Sequence, residues 1–547
     1  MRHSKKEILL CLALAYVGWY FYYLNQYAVN IPYVDDYDAI LGYILQFRNA
    51  DFWVKVQSLL LPHNEHIMIM TRIASWLNIS FGNTVNFYWL ILIGNCLLLL
   101  QLWLLYQLFC ISERTSPIYF FLVILVFLNP QYSPTSFWAM ALWSNIWVLI
   151  PVTLSIFLLS NQKSWYWALP TAVLALFSNG NGLMIWPVGI FILLLAQRPL
   201  FQYIIWGITG LVFGGLYFYL IRQQPSGGVS ELINLPLLPL NTLAFAGAYF
   251  ALAGGKVGQF AAVLAGAGVL IMGFFTFKVY LKTKQKTDLI LLSLLVFIFL
   301  TALAVALFRA EKGMDIIIGG RYRQYSSLAV AVSFLMGFRL IDLKAKLGMR
   351  SLPWVVIVTI TFLSFLRDLG VRRATEGRTV ADYHNILHNG IDVYTTDGTP
   401  RFVKIAKGVR AFHLYLVPSK YDIMTQLRLA TRLPIQGVEQ RRHIEGNKAD
   451  GVTCGNHWLL EDSRLSLPTT DETLYLILTN GQKNIIFPTA SKRNDIVTML
   501  KQQQYFKRGV EAEAYDCAQS LNSFQIRWLK VGNKPKLYVT NSSIFAR

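Results

Sequence analysis

Charged residues are scarce in this sequence. Only 14% of its 547 residues are Asp, Glu, Lys or Arg, and 55% are hydrophobic, whereas a soluble globular protein carries about 25% charged residues. The composition therefore excludes an ordinary water-soluble fold. The apolar residues come in long runs, such as 89–109 and 289–308, and about 20 apolar residues in a helix cross a membrane.

Cysteine patterns and nucleic-acid motifs are also lacking. The five cysteines form no CxxC pair and no metal-ligand spacing, so we expect no cofactor and do not favour a divalent metal. Cys454 and Cys517 fit either a disulfide bond or two free thiols. The net charge of +20 comes without a basic-aromatic face, so nucleic-acid binding is not expected.

The basic residues indicate a membrane topology. They collect in short loops between the apolar runs, as they do on the cytoplasmic side of membrane proteins. Alternation between these loops predicts about eleven transmembrane helices, with a cytoplasmic N-terminus. The predicted spans lie near residues 7–25, 87–109, 117–130, 142–160, 165–178, 183–197, 201–221, 258–278, 288–308, 325–340 and 352–368.

Three further segments are interpreted separately. Residues 240–254 are predicted to form a helix at the outer face rather than a twelfth span. A twelfth span would place the basic loop that follows, 278–286, on the outer side, against the positive-inside rule. The long outer loop 26–86 contains two mixed segments, 37–47 and 68–79, that are typical of interfacial helices. The region 371–547 is the third.

In the region 371–547 the sequence pattern changes. Short alternating segments predict strands, and one segment predicts a helix near 491–505. The predicted strands lie at 411–417, 473–478, 524–531 and 535–540. The fold class is therefore an α-helical polytopic membrane protein (1–370) with a small α+β domain (371–547), which an odd number of spans places outside the cytoplasm.

An acidic segment follows the first span. Pro32 ends the first helix, and Asp35, Asp36 and Asp38 come directly after it. One interpretation is that an Asp caps the next helix, since Asp favours that position. Three acids in four residues beside a membrane exceed what a cap needs, and charges at that depth are usually functional. We therefore expect a functional role for Asp35 and Asp36, and a surface position for Asp38.

A polar cluster lies later in the same loop. His63, Asn64, Glu65 and His66 stand together, and Arg72 follows. The spacing is not the His-Glu-x-x-His pattern of zinc proteases. Metal binding, a solvated interfacial loop and contacts to a sugar or phosphate are three interpretations, of which we favour the third because the cluster shares its loop with the acids.

Several basic residues lie in the loop before the tenth predicted span. Arg309, Lys312, Arg321 and Arg323 are predicted to be outside, against the positive-inside rule, and Tyr322 lies between the last two. Guanidinium groups bind phosphate in a bidentate manner. The alternative interpretation is that these are ordinary charged residues of a loop, with no ligand to bind. Together with the acids and the polar cluster, these residues predict one outer-face site that suits transfer of a sugar from a lipid phosphate.

With these features the sequence resembles the bacterial GT-C glycosyltransferases over about residues 1–370. The resemblance rests on the acid pair at the outer end of the first span, the long first loop, the many spans and the outer C-terminal domain. Residues 63–66 with Arg72, and the Gly320-Arg321-Tyr322 stretch, also resemble motifs of bacterial members.

The resemblance implies a mechanism and its partners. The donor would be a polyprenyl-phosphate-linked sugar, and the acceptor a lipid-linked glycan, lipopolysaccharide, O-antigen or other envelope glycan. Transfer would invert the sugar, with Asp35 as general base, Asp36 as its support, and Arg321 and Arg323 holding the phosphate. The implied location is the bacterial cytoplasmic membrane, with the C-terminal domain in the periplasm.

Two other functions stay open from the sequence. A flippase or transporter of lipid-linked glycans would more often carry charges in mid-span. An O-antigen polymerase or ligase would be expected to place its main residues in a large late loop. The acid pair in the first loop favours the transferase over both.

Overall fold

The computed structural model describes residues 2–110, 117–222, 235–309, 313–340, 347–391, 399–434, 440–444, 448–449, 452–453, 457–462, 465, 473–490, 509–515 and 524–543. The chain forms two compact units. The first contains Met1–Ala28, Asn49–Ala74 and Leu90–Leu366, and the second contains Val29–Arg48, Ser75–Trp89 and Arg367–Arg547. The sequence predicted one boundary near residue 370, whereas two segments of the first loop belong to the second unit.

Helices make up most of the described chain. They are α1 Arg2–Tyr27, α2 Tyr43–Phe47, α3 Phe52–Ser58, α4 Ile69–Gly82, α5 Phe87–Cys110, α6 Pro117–Phe127, α7 Ser133–Ser136, α8 Ala139–Ala141, α9 Leu149–Leu159, α10 Ala168–Leu176, α11 Ile185–Leu195, α12 Leu200–Arg222, α13 Leu238–Gly247, α14 Gly255–Thr283, α15 Lys286–Phe308, α16 Met314–Ile318, α17 Arg323–Leu340, α18 Leu347–His384, α19 Thr399–Ala411 and α20 Ile423–Leu429. A π-helical turn, Tyr37–Gly42, precedes α2.

The apolar helices indicate a multi-pass membrane protein. Within the described residues, six helical stretches are long and apolar enough to cross a membrane. They are Glu7–Tyr27, Phe87–Cys110, Ala139–Leu159, Leu200–Arg222, Gly255–Thr283 and Lys286–Phe308. Each of the eleven predicted spans coincides with helical structure, and the other five are not among these six stretches. A total of eleven, the compartment and the orientation stay predictions.

Small residues let α13 approach α14 in the first unit. A Cβ on Gly247 would lie 2.0 Å from the Ala262 carbonyl oxygen, and one on Gly266 would lie 1.9 Å from the Leu243 carbonyl oxygen. The two backbones are therefore in direct contact, as in small-residue packing of membrane helices. The predicted helix at 240–254 is confirmed as α13 followed by a short 3₁₀ turn, and its position at the outer face stays a prediction.

The second unit contains a mixed β-sheet. Its strands are β3 Thr431–Pro434, β4 Gln440–Ile444, β7 His457–Asp462, β8 Thr473–Thr479, β9 Asn484–Ala490, β10 Val510–Tyr515, β11 Gln525–Val531 and β12 Lys536–Ser543, in the order β3-β12-β11-β8-β9-β10-β7-β4. Only β3 and β12 pair in parallel among these strands. The described chain also contains two short hairpins, β1 Pro62–His63 with β2 His66–Ile67, and β5 Lys448–Ala449 with β6 Val452–Thr453.

Three of the four predicted strands are present in the structure, and one is not. Those at 473–478, 524–531 and 535–540 are confirmed as β8, β11 and β12. The strand at 411–417 is wrong, because α19 continues to Ala411 and His413 then adopts a left-handed conformation with φ of 52° that ends the helix. The predicted helix at 491–505 and both cysteines, Cys454 and Cys517, lie outside the described residues.

The π-helical turn that follows α18, Asn385–Asn389, is attached to the sheet through side-chain amides. Asn385 donates from Nδ2 to the Ile486 carbonyl at 2.8 Å and accepts from the Ile486 N–H at 3.0 Å. Asn389 donates to the Asn484 carbonyl at 2.7 Å. These amides satisfy backbone groups at the start of β9, where β10 does not pair with it.

The first-loop segments of the second unit pack on α19. The predicted segment at 37–47 is confirmed as helical, and Tyr37 stacks on Phe402 with ring centroids 5.0 Å apart. A Cβ on Gly408 would lie 2.6 Å from Leu45. The predicted segment at 68–79 is confirmed as α4. Contact of either segment with a membrane surface stays a prediction.

Candidate active site

The polar cluster 63–66 folds into a tight hairpin in the first unit. His63 and His66 are cross-strand partners in β1 and β2. Asn64 adopts φ of 50° in the turn, a conformation that Asn tolerates better than most residues. Glu65 is exposed at the tip. The hairpin therefore places Glu65 and the two imidazoles in one tight turn.

Arg72 fixes the start of this hairpin. Its Nη1 donates to the carbonyls of Ser58 at 3.0 Å and Leu59 at 2.9 Å, and also to Leu61. These carbonyls follow the end of α3, where helices leave acceptors without partners. The Arg72 side chain is 5% exposed. Its observed contacts position the loop, and its substrate-binding role stays a prediction.

His66 lies against a glycine turn. A Cβ at Gly180 would be 2.6 Å from His66 Nδ1 and 3.0 Å from the Tyr217 hydroxyl. Only glycine fits there without displacing one of these groups. Nδ1 of His66 is buried and makes no hydrogen bond within the described residues. The turn 179–182 is therefore a wall of the site.

Charges surround His66. The pKa of His66 is lowered from 6.5 to about 4, mainly by burial; Glu65 opposes this effect, and Arg321 and Arg309 add to it. Arg309 forms an ion pair with Glu65 at 3.1 Å. The imidazole is therefore neutral at pH 7, and its unprotonated nitrogen is able to accept a hydrogen bond.

The Arg321 guanidinium lies 5.2 Å from the ring of Tyr322. Nearby, Asn181 donates to the Tyr325 hydroxyl at 2.9 Å, and that hydroxyl donates to the Asn145 carbonyl at 3.1 Å. The Asn181 Oδ1 atom is buried without a hydrogen bond in the described part of the chain. The sequence predicts only a tight turn at 179–182. The contact of Asn181 with Tyr325 joins positions far apart in the chain, which no local pattern reveals.

Arg323 has a different environment from Arg321. It is 8% exposed. Its Nε donates to the Ile318 carbonyl at 2.9 Å, and its Nη2 donates to the Ala251 carbonyl at 3.0 Å. These bonds hold the end of α16 and the segment after α13 together. The proposed contact of Arg323 with phosphate stays a prediction, and Lys312 lies outside the described residues.

The acidic segment belongs to the second unit and has a strained backbone. Val34 adopts φ of 46°, which a β-branched residue rarely does. The Asp36 N–H donates to the Tyr33 carbonyl at 3.0 Å, and the Ala39 N–H donates to the Asp35 carbonyl at 2.8 Å. Strain of this kind is found where a fold holds functional groups in place.

The side chain of Asp36 does not cap the helix that follows. It makes no cap hydrogen bond to the Tyr37–Gly42 turn. Instead, its Oδ2 accepts from the Tyr33 N–H at 3.1 Å, and the residue is 1% exposed. Asp35 is half-buried. The capping interpretation therefore fails for Asp36.

A basic residue of the second unit pairs with the last of these acids. Arg401 in α19 pairs with Asp38 at 2.6 Å. Burial raises the pKa of Asp38, Arg401 opposes that effect, and Asp35 adds to it. The expected surface position of Asp38 is wrong, since its side chain is only 10% exposed.

A second buried ion pair lies beside the segment. Arg372 and Asp368, both in α18, are 3.4 Å apart and each is 4% exposed. Tyr33 and Glu376 are electrostatic neighbours of Arg372. Arg372 and Arg401 were not predicted as site residues, because both lie in a region for which the sequence predicted no helix.

The sequence-predicted site residues thus divide between the units. The hairpin residues, Arg309, Arg321 and Tyr322 belong to the first unit, and Asp35 and Asp36 belong to the second. Within the described residues, no three His, Cys, Asp or Glu side chains come together as a metal site would require. Comparison of the chain with protein-family models, curated proteins and solved structures found no match.

Proposed function

We propose that this chain is a membrane glycosyltransferase of the GT-C type. It transfers a sugar from a polyprenyl-phosphate donor to a lipid-linked or cell-envelope glycan on the periplasmic face of a bacterial cytoplasmic membrane. The observation that carries the proposal is the acidic segment: Asp35 and Asp36 follow the first apolar helix, on a backbone strained at Val34, and Asp36 is buried without capping a helix.

In this reaction Asp35 acts as the general base. Its carboxylate takes the proton of an acceptor hydroxyl, whose oxygen attacks the anomeric carbon of the donor sugar. The bond from that carbon to the phosphate oxygen breaks, and polyprenyl phosphate leaves. Asp36 holds the turn that orients Asp35, since its Oδ2 accepts from the Tyr33 N–H.

Arg309, Arg321 and His66 support binding of the phosphate. Two guanidinium groups stabilise the charge that develops on the leaving phosphate. His66, whose pKa is lowered to about 4, stays neutral. Arg309 exchanges its Glu65 partner for the phosphate when the donor binds.

The test is sugar transfer by Asp35→Asn. The purified full chain, in vesicles, is given a panel of labelled polyprenyl-phosphate sugars and an envelope glycan extract, and release of free polyprenyl phosphate is measured. We expect Asp35→Asn to lose about 100-fold or more of the rate, the typical contribution of a general base.

Asp51→Asn is the matched control, because Asp51 lies in the same first loop, is exposed and makes no cap hydrogen bond. It should transfer sugar at the normal rate. Normal transfer by Asp35→Asn would remove Asp35 as the base. Movement of the lipid across the vesicle membrane without release of polyprenyl phosphate would indicate a flippase instead.

A further inference from the structure

The second unit contains a cavity that the proposed reaction does not use. Its volume is about 450 Å³, within the range of roughly 300–1,000 Å³ that is typical of small-molecule sites. It lies between the end of α18, the turn that follows α19 and the short helix α20. All of its lining residues belong to the second unit.

The floor of the cavity is aromatic and rigid. Tyr383, His384 and Tyr415 line it and are at most 4% exposed. Tyr383 and Tyr415 meet edge to face with ring centroids 5.6 Å apart. The Tyr415 hydroxyl donates to the Asn30 carbonyl at 2.6 Å, and this bond holds the Tyr415 ring in position.

The rim of the cavity is basic. Arg410 at the end of α19, Arg428 at the end of α20, and His388 are exposed there. Neither arginine forms an ion pair within the described residues. The guanidinium groups are therefore available to an anion from solution.

Asp422, an acidic residue that lines the cavity, already accepts two hydrogen bonds. Asp422 accepts from the Met424 N–H at 3.1 Å and from the Thr425 hydroxyl at 2.7 Å. These bonds cap the N-terminus of α20. The carboxylate therefore has a structural task, and it does not neutralise both arginines.

We propose that this cavity binds an anionic sugar, a pyranose that carries a carboxylate or phosphate group. Arg410 and Arg428 bind the oxyanion, and the tyrosine rings with His384 contact the sugar ring and its hydroxyls. Aromatic faces suit the apolar face of a sugar, and hydrogen-bonding groups on fixed elements set its orientation. This inference goes beyond the transfer reaction, because it concerns binding alone.

The experiment measures binding to the full chain in nanodiscs of zwitterionic lipid. Isothermal titration compares methyl glucuronoside and glucose 6-phosphate with neutral methyl glucoside, inorganic phosphate and glycerol phosphate. We expect the two anionic sugars to bind, and the neutral sugar and the two simple phosphates to bind at least about tenfold more weakly. Arg410→Gln and Arg428→Gln should each weaken the anionic sugars about tenfold, the effect of one charge-assisted hydrogen bond.

Lys407→Gln is the control, because Lys407 is also exposed on α19 but does not line the cavity. It should bind as the wild type does, with the same melting temperature as the arginine variants. Equal affinity for the neutral sugar, or unchanged binding in both arginine variants, overturns the proposal. Equal or tighter binding of glycerol phosphate identifies a lipid headgroup site and overturns it as well. Loss of transferase activity in Asp35→Asn has no bearing on this result.

Discussion

Arg323 in the first unit and Arg372 in the second are both buried, yet different partners stabilise them. Arg323 donates to two backbone carbonyls, those of Ile318 and Ala251. Arg372 lies 3.4 Å from a carboxylate, that of Asp368. In the helical unit, the ends of short helices leave carbonyls without partners. In the second unit, Asp368 lies one turn before Arg372 in the same helix, so this buried arginine pairs with an acid.

This difference separates the arginines that bind backbone carbonyls from those that are available to bind a ligand. Arg72 and Arg323 are committed to carbonyls, whereas Arg309 is half-buried and pairs with the exposed Glu65. An exposed ion pair contributes little to stability and is readily exchanged for another anion. Arg309 and Arg321 are therefore the better candidates for binding a ligand.

The largest effect is expected from Arg323→Ala. The substitution leaves the Ile318 and Ala251 carbonyls without donors, and each buried unsatisfied acceptor costs about 1–3 kcal/mol. We expect the apparent melting temperature in detergent to fall sharply. Arg321→Ala is the matched variant two residues away. It should keep the melting temperature and weaken donor binding about tenfold, the effect of one charge-assisted hydrogen bond.

The reverse result, a stable Arg323→Ala that no longer binds donor, would restore Arg323 as a phosphate ligand. It would also break the distinction between carbonyl-bound and available arginines. Unchanged donor affinity in Arg321→Ala would count against the proposed role of Arg321.

A second prediction compares stability at different pH values. Burial lowers the pKa of His384 from 6.5 to about 4. The unfolded chain therefore takes up a proton first, so stability is complete above about pH 6.5 and decreases as the pH falls towards 4. The loss is up to about 3 kcal/mol, at 1.36 kcal/mol for each pKa unit.

His384→Gln should reduce this loss, measured as the melting temperature between pH 7 and pH 4.5. His413→Asn is the control, since Asn tolerates the left-handed conformation that His413 adopts, with φ of 52°. It should keep the acid sensitivity of the wild type. An unchanged pH dependence in His384→Gln would show that other groups cause the loss.

The smallest effect is expected from Gly180→Ala. The new methyl group would collide with His66 Nδ1, at 2.6 Å, and such overpacking costs about 1–3 kcal/mol. Gly207→Ala in α12 is the control, because nothing lies within 4 Å of a Cβ there. Thermal unfolding should separate the two variants. Equal melting temperatures would mean that His66 moves aside freely.

Much of the helical structure could be predicted from the sequence. Runs such as 288–308 are apolar over their whole length, and only a helix satisfies its own backbone in such a run. The strands at 473–478 and 524–531 were predicted from local alternation. The segment 411–417 alternates too, but α19 continues to Ala411 and His413 adopts a left-handed conformation, so no strand forms there.

The site could be predicted in residue type but not in arrangement. The sequence by itself determined a membrane protein with an acidic segment after its first apolar helix, because composition and the order of apolar runs are local properties. Only the tertiary structure decided that Arg401 pairs with Asp38, that Arg323 binds carbonyls, and that His66 meets Gly180. The physical reason is that burial and partners determine the role of a charged side chain, and those partners lie 114 to 363 residues away in the chain or on backbone that no side-chain pattern reveals.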